Sequence, residues 1–347
     1  MRIGILTHPL IGNYGGILQA LAMKQTLEYI GHDVIVLDRR HNFSILSRII
    51  KAVGKFIGLR RFVNPFQQYE PQIKFIYQNF NRTKELHSHK ELVRAIKHNN
   101  LDLVIIGSDQ VWNLSYTKKS GLDYWGEFMK DCPILSFSYA ASMGASDWLL
   151  DCSMTERIKR NLSEFNGISV REFQTKQLLE KILDIPNIEW VLDPTMLQPE
   201  AFYNEYTAPR IIKDDYVFVY WLGDESLIPD LSRLYPNHKI LKCKLGNPNC
   251  NLSVEEWLSA IKYADAIITD SFHGCAISII YRKHFIPYIN KLGGVGRLTS
   301  LFKHTGLDCK LNNPQSIEDY NHSEFYIKEA IQSSMNFLNK CLSTEVK

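Results

Sequence analysis

The chain opens MRIGILTHPLIGNYGGILQALAMKQTLEYIGHDVIVLD (residues 1–38), and the change of hydrophobic period inside this stretch decides the fold. Arg2 to Leu6 reads as a strand, Gly16 to Gly31 as an amphipathic helix, and Asp33 to Asp38 as a second strand. Strand, helix, strand in that order is a parallel α/β unit, because parallel neighbours need a long crossover. Between the first strand and the helix lies THPLIGNYGG, where Gly12, Gly15 and Gly16 allow close backbone approach at a helix N-terminus. Free N–H groups and the helix dipole favour an anion there. The spacing is neither a Walker A loop nor the dinucleotide fingerprint. A plain strand-to-helix turn with Asn13 as its cap accounts for the same letters.

Working outward, LDLVIIGSD (101–109) and PILSFSYAAS (133–142) add strands. The helical pattern MTERIKRNLSEF (154–165) follows, and from about Ile168 the rhythm restarts. GISV, a helix from Arg171 to Leu183, YVFVYWLG (216–223), a helix near Leu227 to Leu234, HKILKC (238–243), SVEEWLSAIKYA (253–264), DAIITD (265–270) and a helix after Ser271 make a second α/β set. The expectation is therefore an α/β protein of two Rossmann-like domains facing a cleft, 1–166 and 167–322. A last amphipathic helix, Glu324 to Leu342 within 323–347, is expected to pack across their junction.

Bulk composition agrees with a soluble two-domain protein: 347 residues, 45% apolar and 22% charged. A net charge of +3 is too small to predict a nucleic-acid partner without a clustered basic face. Seven cysteines form no CxxC pair and no compact ligand set, which predicts reduced thiols and no metal site. No window approaches the roughly 20 uninterrupted apolar residues of a spanning helix. The first residues lack the pattern of a secretion signal, so a cytoplasmic protein is expected. One segment stands apart: SILSRIIKAVGKFIGLRRF (44–62) puts Ile45, Ile49, Val53 and Phe56 on one helical stripe, with Arg48, Lys51, Lys55, Arg60 and Arg61 around the rest. That is the pattern of a helix lying peripherally on an anionic membrane interface; a helix packed on the protein or a partner is the alternative.

In open parallel sheets ligands sit beyond the carboxyl ends of the strands, and three such loops carry unusual residues. Besides the glycine loop, GSDQVWN (107–113) places Ser108, Asp109 and Gln110 after a buried strand, suited to a sugar's hydroxyls; an N-cap aspartate beside a core tryptophan is the plainer reading. In TDSFHG (269–274), Asp270 or Ser271 caps the next helix, while His273 in the first turn faces the loop, where an imidazole gives or takes a proton near neutrality. SVRE puts Arg171 at another strand end, where its planar fork suits a carboxylate or phosphate, or pairs with Glu172. Downstream, FIPYINKLGGVGRL (285–298) offers Lys291 and Arg297 around a glycine loop, either for a phosphorylated acid or as solvated surface charges.

Taken in order, GNYGGILQALAMKQTLEYIGHDVIVLD, IIGSDQVWN, ISVRE, VLDPTML and ITDSFHG resemble the polysaccharide pyruvyl transferase family, over most of the chain to about Leu307. The resemblance implies a GT-B-like fold and a bacterial enzyme of capsule, exopolysaccharide or cell-wall polymer assembly. It implies transfer of pyruvate from phosphoenolpyruvate to two hydroxyls of one sugar, as a cyclic ketal, with no cofactor and no metal. By the same resemblance His273 is the proton donor, and Arg171 and Lys291 hold the donor's anionic groups, with Arg297 in support. Asn13 and Asp109 would sit at the acceptor or inter-domain side; Tyr14, Gly15, Gly16, Ser108, Gln110, Asp270 and Ser271 are the further candidate substrate-binding residues, the last two also shaping the start of the His273 helix. The spacing of NKLGGVGRL departs from the family pattern, and the basic 44–62 segment is not required by it. As an expectation, that segment docks the enzyme on the inner membrane face beside a polyprenyl-linked saccharide. A GT-B-like glycosyltransferase using a nucleotide sugar, and a non-catalytic scaffold of polymer assembly, are the other two readings.

Overall fold

The computed structural model describes residues 1–40, 69–117, 120–144, 147–244, 252–290, 295–313 and 320–343. The basic 44–62 segment lies outside the described residues. The first sheet contains β1 (Arg2–Leu6), β2 (Asp33–Val36), β3 (Leu103–Ile106), β4 (Leu135–Ala141), β5 (Gly167–Val170) and β6 (Glu189–Trp190), in the order β2-β1-β3-β4-β5-β6. A second sheet holds β7 (Tyr216–Trp221), β8 (Lys239–Lys244), β9 (Ala266–Thr269) and β10 (Phe285–Pro287), in the order β10-β9-β7-β8. Every ladder is parallel. Helices that frame the site are α1 (Tyr14–Tyr29), α2 (Phe173–Leu183), α3 (Val254–Lys262), α4 (Phe272–Ile280), α5 (Val295–Thr305) and α6 (Tyr320–Leu342).

Both sheets wind the same way: the first strand has the second on one side and the third on the other. Such an order has a switch point between first and third strands, where the loops diverge and leave a crevice. In the first sheet that crevice lies after β1 and β3, and in the second after β7 and β9.

The expected boundary at 166/167 needs correcting. β5 and β6, assigned from sequence to the second domain, extend the first sheet, and the second sheet begins only at Tyr216. A restart of strand–helix alternation does not say which sheet the new strand joins. Here serines decide it: Ser138 and Ser169 each donate a hydroxyl to the other's carbonyl, at 3.1 and 2.9 Å, and Ser169 Oγ accepts from Ala140 N at 3.1 Å. They satisfy a break in the β4–β5 register in which Ala140 takes a left-handed φ of 52°.

One apolar core runs through both units, and Tyr14 is its joint: its ring stacks on Trp257 of α3 at 5.3 Å and its hydroxyl donates to Leu252 O at 2.7 Å. The last helix begins at Tyr320, earlier than the Glu324 read from sequence. Its start touches the second unit, Tyr320 donating to Lys283 O, and its end packs Phe337 edge-on against Phe137 of the first sheet. Among the described residues, no helix is long and apolar enough to cross a membrane.

Candidate active site

The carboxyl ends of β3, β5 and β6 converge on one buried ion network, and the first turn of α4 brings His273 to it from the second unit. Its centre is Asp193, just after β6, which is 1% exposed. Asp193 Oδ2 accepts from Arg171 Nη1 at 2.8 Å and Ser108 Oγ at 2.7 Å, while Oδ1 accepts from Thr195 N and Oγ1 at 3.0 and 2.7 Å. His273 Nε2 stands 3.5 Å from Oδ2, an ion-pair distance but too long for a well-formed hydrogen bond. Burial works to raise the Asp193 pKa, but His273 and Arg171 beside it outweigh that and hold the carboxyl well below its usual range.

Arg171, 2% exposed, is held on all sides. Nε donates to Glu172 Oε1 at 3.1 Å, Nη2 lies 3.8 Å from Asp109 Oδ1, and the guanidinium sits 4.1 Å over the Phe272 ring. Burial disfavours its charge, yet Glu172, Asp193 and Asp109 more than restore it, so it stays a cation. Among the described residues, two polar atoms of this network have no hydrogen-bond partner: Arg171 Nη2 and His273 Nε2. A buried polar atom left unmet is costly unless a ligand meets it.

Asp109 closes the network on the side of the first sheet. Its φ of 78° is left-handed, a strained backbone for a non-glycine residue and of the kind that gathers at functional sites. It is fixed there by the β-bridge to Ala141 and by Gln110 N, which donates to Oδ1 at 2.9 Å. Asn13 Nδ2 donates to Oδ2 at 3.1 Å, tying the glycine loop to the β3 loop. Burial pushes the Asp109 carboxyl up, but His273, His8 and Arg171 together bring it below its ordinary value.

The glycines have distinct reasons. A Cβ on Gly15 would stand 2.1 Å from His273 Nδ1, so α1 and the imidazole pack with no room for a side chain. At Gly16 a Cβ would meet Asn13 Nδ2 at 3.1 Å.

The sequence reading placed four residues together that the fold does join: Asn13, Asp109, Arg171 and His273. Ser108 and Gln110 support them. Tyr14 does not face the site but serves the domain joint. Asp270 is internal: Oδ1 accepts from Leu222 N at 2.7 Å, and Oδ2 from Gly223 N at 2.8 Å and Asn290 Nδ2 at 3.1 Å. It fills the switch-point crevice of the second sheet, and burial raises its pKa despite those donors. Ser271 caps α4, accepting from Gly274 N at 3.3 Å. Arg297, on the first turn of α5, lies within electrostatic reach of Arg171, Glu172, Asp109 and Tyr116; burial first and Arg171 second lower its pKa. Lys291 lies outside the described residues. Sequence reasoning missed Asp193, although VLDPTML was noted, and it missed His8, whose ring packs against Tyr116 and Tyr124 at 6.4 and 5.9 Å. A groove of about 1060 Å³ between Glu70–Asn79 and Glu205–Ala208 is away from this cluster and holds none of these residues.

Two Rossmann-like units with facing carboxyl ends make this a GT-B-like fold. Solved structures agree: a UDP-GlcNAc 2-epimerase from Neisseria meningitidis bound to UDP-GlcNAc is similar over 99% of this chain and 100% of its own, with TM-score 0.53 and 10% identity. The UDP-GlcNAc 2-epimerase from Methanocaldococcus jannaschii is similar over 100% and 94%, with TM-score 0.50 and 14% identity. At those identities the likeness speaks for the fold alone. The chain belongs to the polysaccharide pyruvyl transferase family, whose model matches residues 13–291. No curated protein matches the chain in sequence.

Proposed function

We propose that this member of the family transfers the pyruvyl carbons of phosphoenolpyruvate to two hydroxyls of one sugar, forming a cyclic ketal in the synthesis of a bacterial surface polysaccharide. The observation that carries the reading is the pair of unmet donors, Arg171 Nη2 and His273 Nε2, set around one buried carboxylate where both sheets end. Arg171 would bind the donor's carboxylate or phosphate. His273 would give its proton to the methylene carbon, so that positive charge builds at the carbon bearing phosphate, where Asp109 would be the anion that offsets it. The first sugar hydroxyl adds there; phosphate then leaves with the electrons of its C–O bond, and the second hydroxyl closes the ring. Of the two hydroxyl protons, one restores His273 and one leaves with phosphate.

Thermal unfolding with phosphoenolpyruvate, and separately with nucleotide sugars, tests this. A ligand that binds only the folded state must raise the midpoint, by about 1–2 °C for each kcal/mol of linkage in a chain of this size. Arg171→Ala would leave three buried carboxylates without their cation, so the informative variant is Arg171→Lys, which keeps the charge and removes the fork. Stabilisation by phosphoenolpyruvate that Arg171→Lys abolishes is the expected result. Stabilisation by a nucleotide sugar alone would replace pyruvyl transfer with glycosyl transfer.

A further inference from the structure

We propose that Asp193 is a positioning residue, which aims the Arg171 fork and fixes the His273 ring across the domain junction; this rests on the reading above. Its carboxylate joins both units through polar contacts, since Arg171 and Ser108 come from the first sheet and His273 from α4, while Arg171 itself meets α4 only through the Phe272 ring. Five contacts on two oxygens leave it no freedom: Thr195 holds Oδ1 through two hydrogen bonds, and Ser108 and Arg171 hold Oδ2 before His273 arrives. The order of strengths matters. Contacts within the first unit lie between 2.7 and 3.0 Å, whereas the contact to His273 is 3.5 Å. Asp193 is therefore preset, and His273 is what it captures when the units meet. On its other side His273 Nδ1 is backed by α1 at Gly15, so ring rotation is blocked from both ends. Both oxygens of the carboxylate are already engaged by protein donors, whereas Arg171 Nη2 and His273 Nε2 are not, which separates its role from theirs.

The test is Asp193→Asn in the full chain, with two readouts. Ring ¹⁵N signals of His273, assigned by their loss in His273→Gln, report the tautomer and environment of the imidazole without any turnover. Consumption of phosphoenolpyruvate reports activity, in Asp193→Asn, His273→Gln and the double variant. Mispositioning should move the His273 signals and lower kcat about 100-fold, while in the His273→Gln background the same change should lower it less than about 3-fold further, because the two residues act as a unit. Unmoved ring signals, or activity losses that multiply independently, would overturn the proposal. Moved ring signals with no turnover of phosphoenolpyruvate even in the unaltered protein would uphold the positioning role and remove the reaction it was linked to. If Asp193→Asn does not fold, Ser108→Ala takes its place, keeping the carboxylate and removing one donor from the same oxygen: a displaced His273 signal supports the role and an unmoved one refutes it.

Discussion

Gly15 shows how much of this site is decided by a missing side chain. In an open helix, glycine to alanine adds about 1 kcal/mol of helix stability. Here the added Cβ would lie 2.1 Å from His273 Nδ1 and 2.5 Å from His273 Cβ, so either the first turn of α1 or the imidazole must move. The expected outcome for Gly15→Ala is a loss of about 1–3 kcal/mol, the usual range for overpacking, read by urea unfolding, together with displacement of His273. A neutral or stabilised Gly15→Ala would mean that helix and imidazole are not in contact in solution. The sequence reading explained the glycines here by an anion's approach or by a plain strand-to-helix turn; the structure gives Gly15 to a protein side chain. For the same reason Asp193 was illegible: locally it is the cap of a short turn, bonding Thr195 N, and its other partners Ser108 and Arg171 are 85 and 22 residues away. Only tertiary structure brings them together.

Among elements, α5 is the one that presses the second unit onto the loops of the first. Ser300 Oγ accepts from Phe173 N at 3.0 Å at the start of α2, and His304 stacks on Trp190 of β6 with centroids 3.6 Å apart. Burial, more than the neighbouring Lys303, brings the His304 pKa down to about 4, against a backbone hydrogen bond at Trp190 that works to raise it. Between pH 6.5 and about 4 the unfolded chain then binds a proton that the folded chain does not. Stability must fall as pH falls through that window, and be fully present above it. Allowing for partial exposure, the loss between pH 7 and pH 5 should be about 1–2 kcal/mol. Urea unfolding at the two pH values checks it, and His304→Phe, which keeps the stacked ring and removes the charge, should flatten the difference. An unchanged pH dependence in that variant would assign the effect elsewhere. The elements themselves were largely legible, because buried parallel strands are short apolar runs and their helices keep a 3.6-residue period. The allegiance of β5 was not, since it is fixed by serine-to-backbone bonds with β4 that no periodicity encodes. β6, two residues long, is too short to carry a pattern.

At the scale of the whole molecule, the two units meet through unlike surfaces. Around Tyr14, Trp257 and Tyr220 the contact is aromatic and continuous with the core, with ring centroids 5.1 to 5.9 Å apart. Around Asp193 it is ionic, and the contact with His273 is the loosest of the five that Asp193 makes. Separating apolar packing of that kind exposes it to water at a cost, whereas the partners of an ionic contact can be met by water or by a charged ligand. His273, Arg171 and Asp109 are only 5, 2 and 5% exposed, so a donor the size of phosphoenolpyruvate reaches them only if the units part on the ionic side. The prediction is that they do part there, about the aromatic joint, and that the arrangement described is the closed one. Small-angle X-ray scattering should give the free protein a larger radius of gyration than the closed structure has, contracting when phosphoenolpyruvate saturates it. Asp193→Asn should weaken the contraction, because the captured partner of His273 is gone. Equal radii with and without donor would mean that it enters with the units already together, and the pivot at Tyr14 would then have no part in turnover.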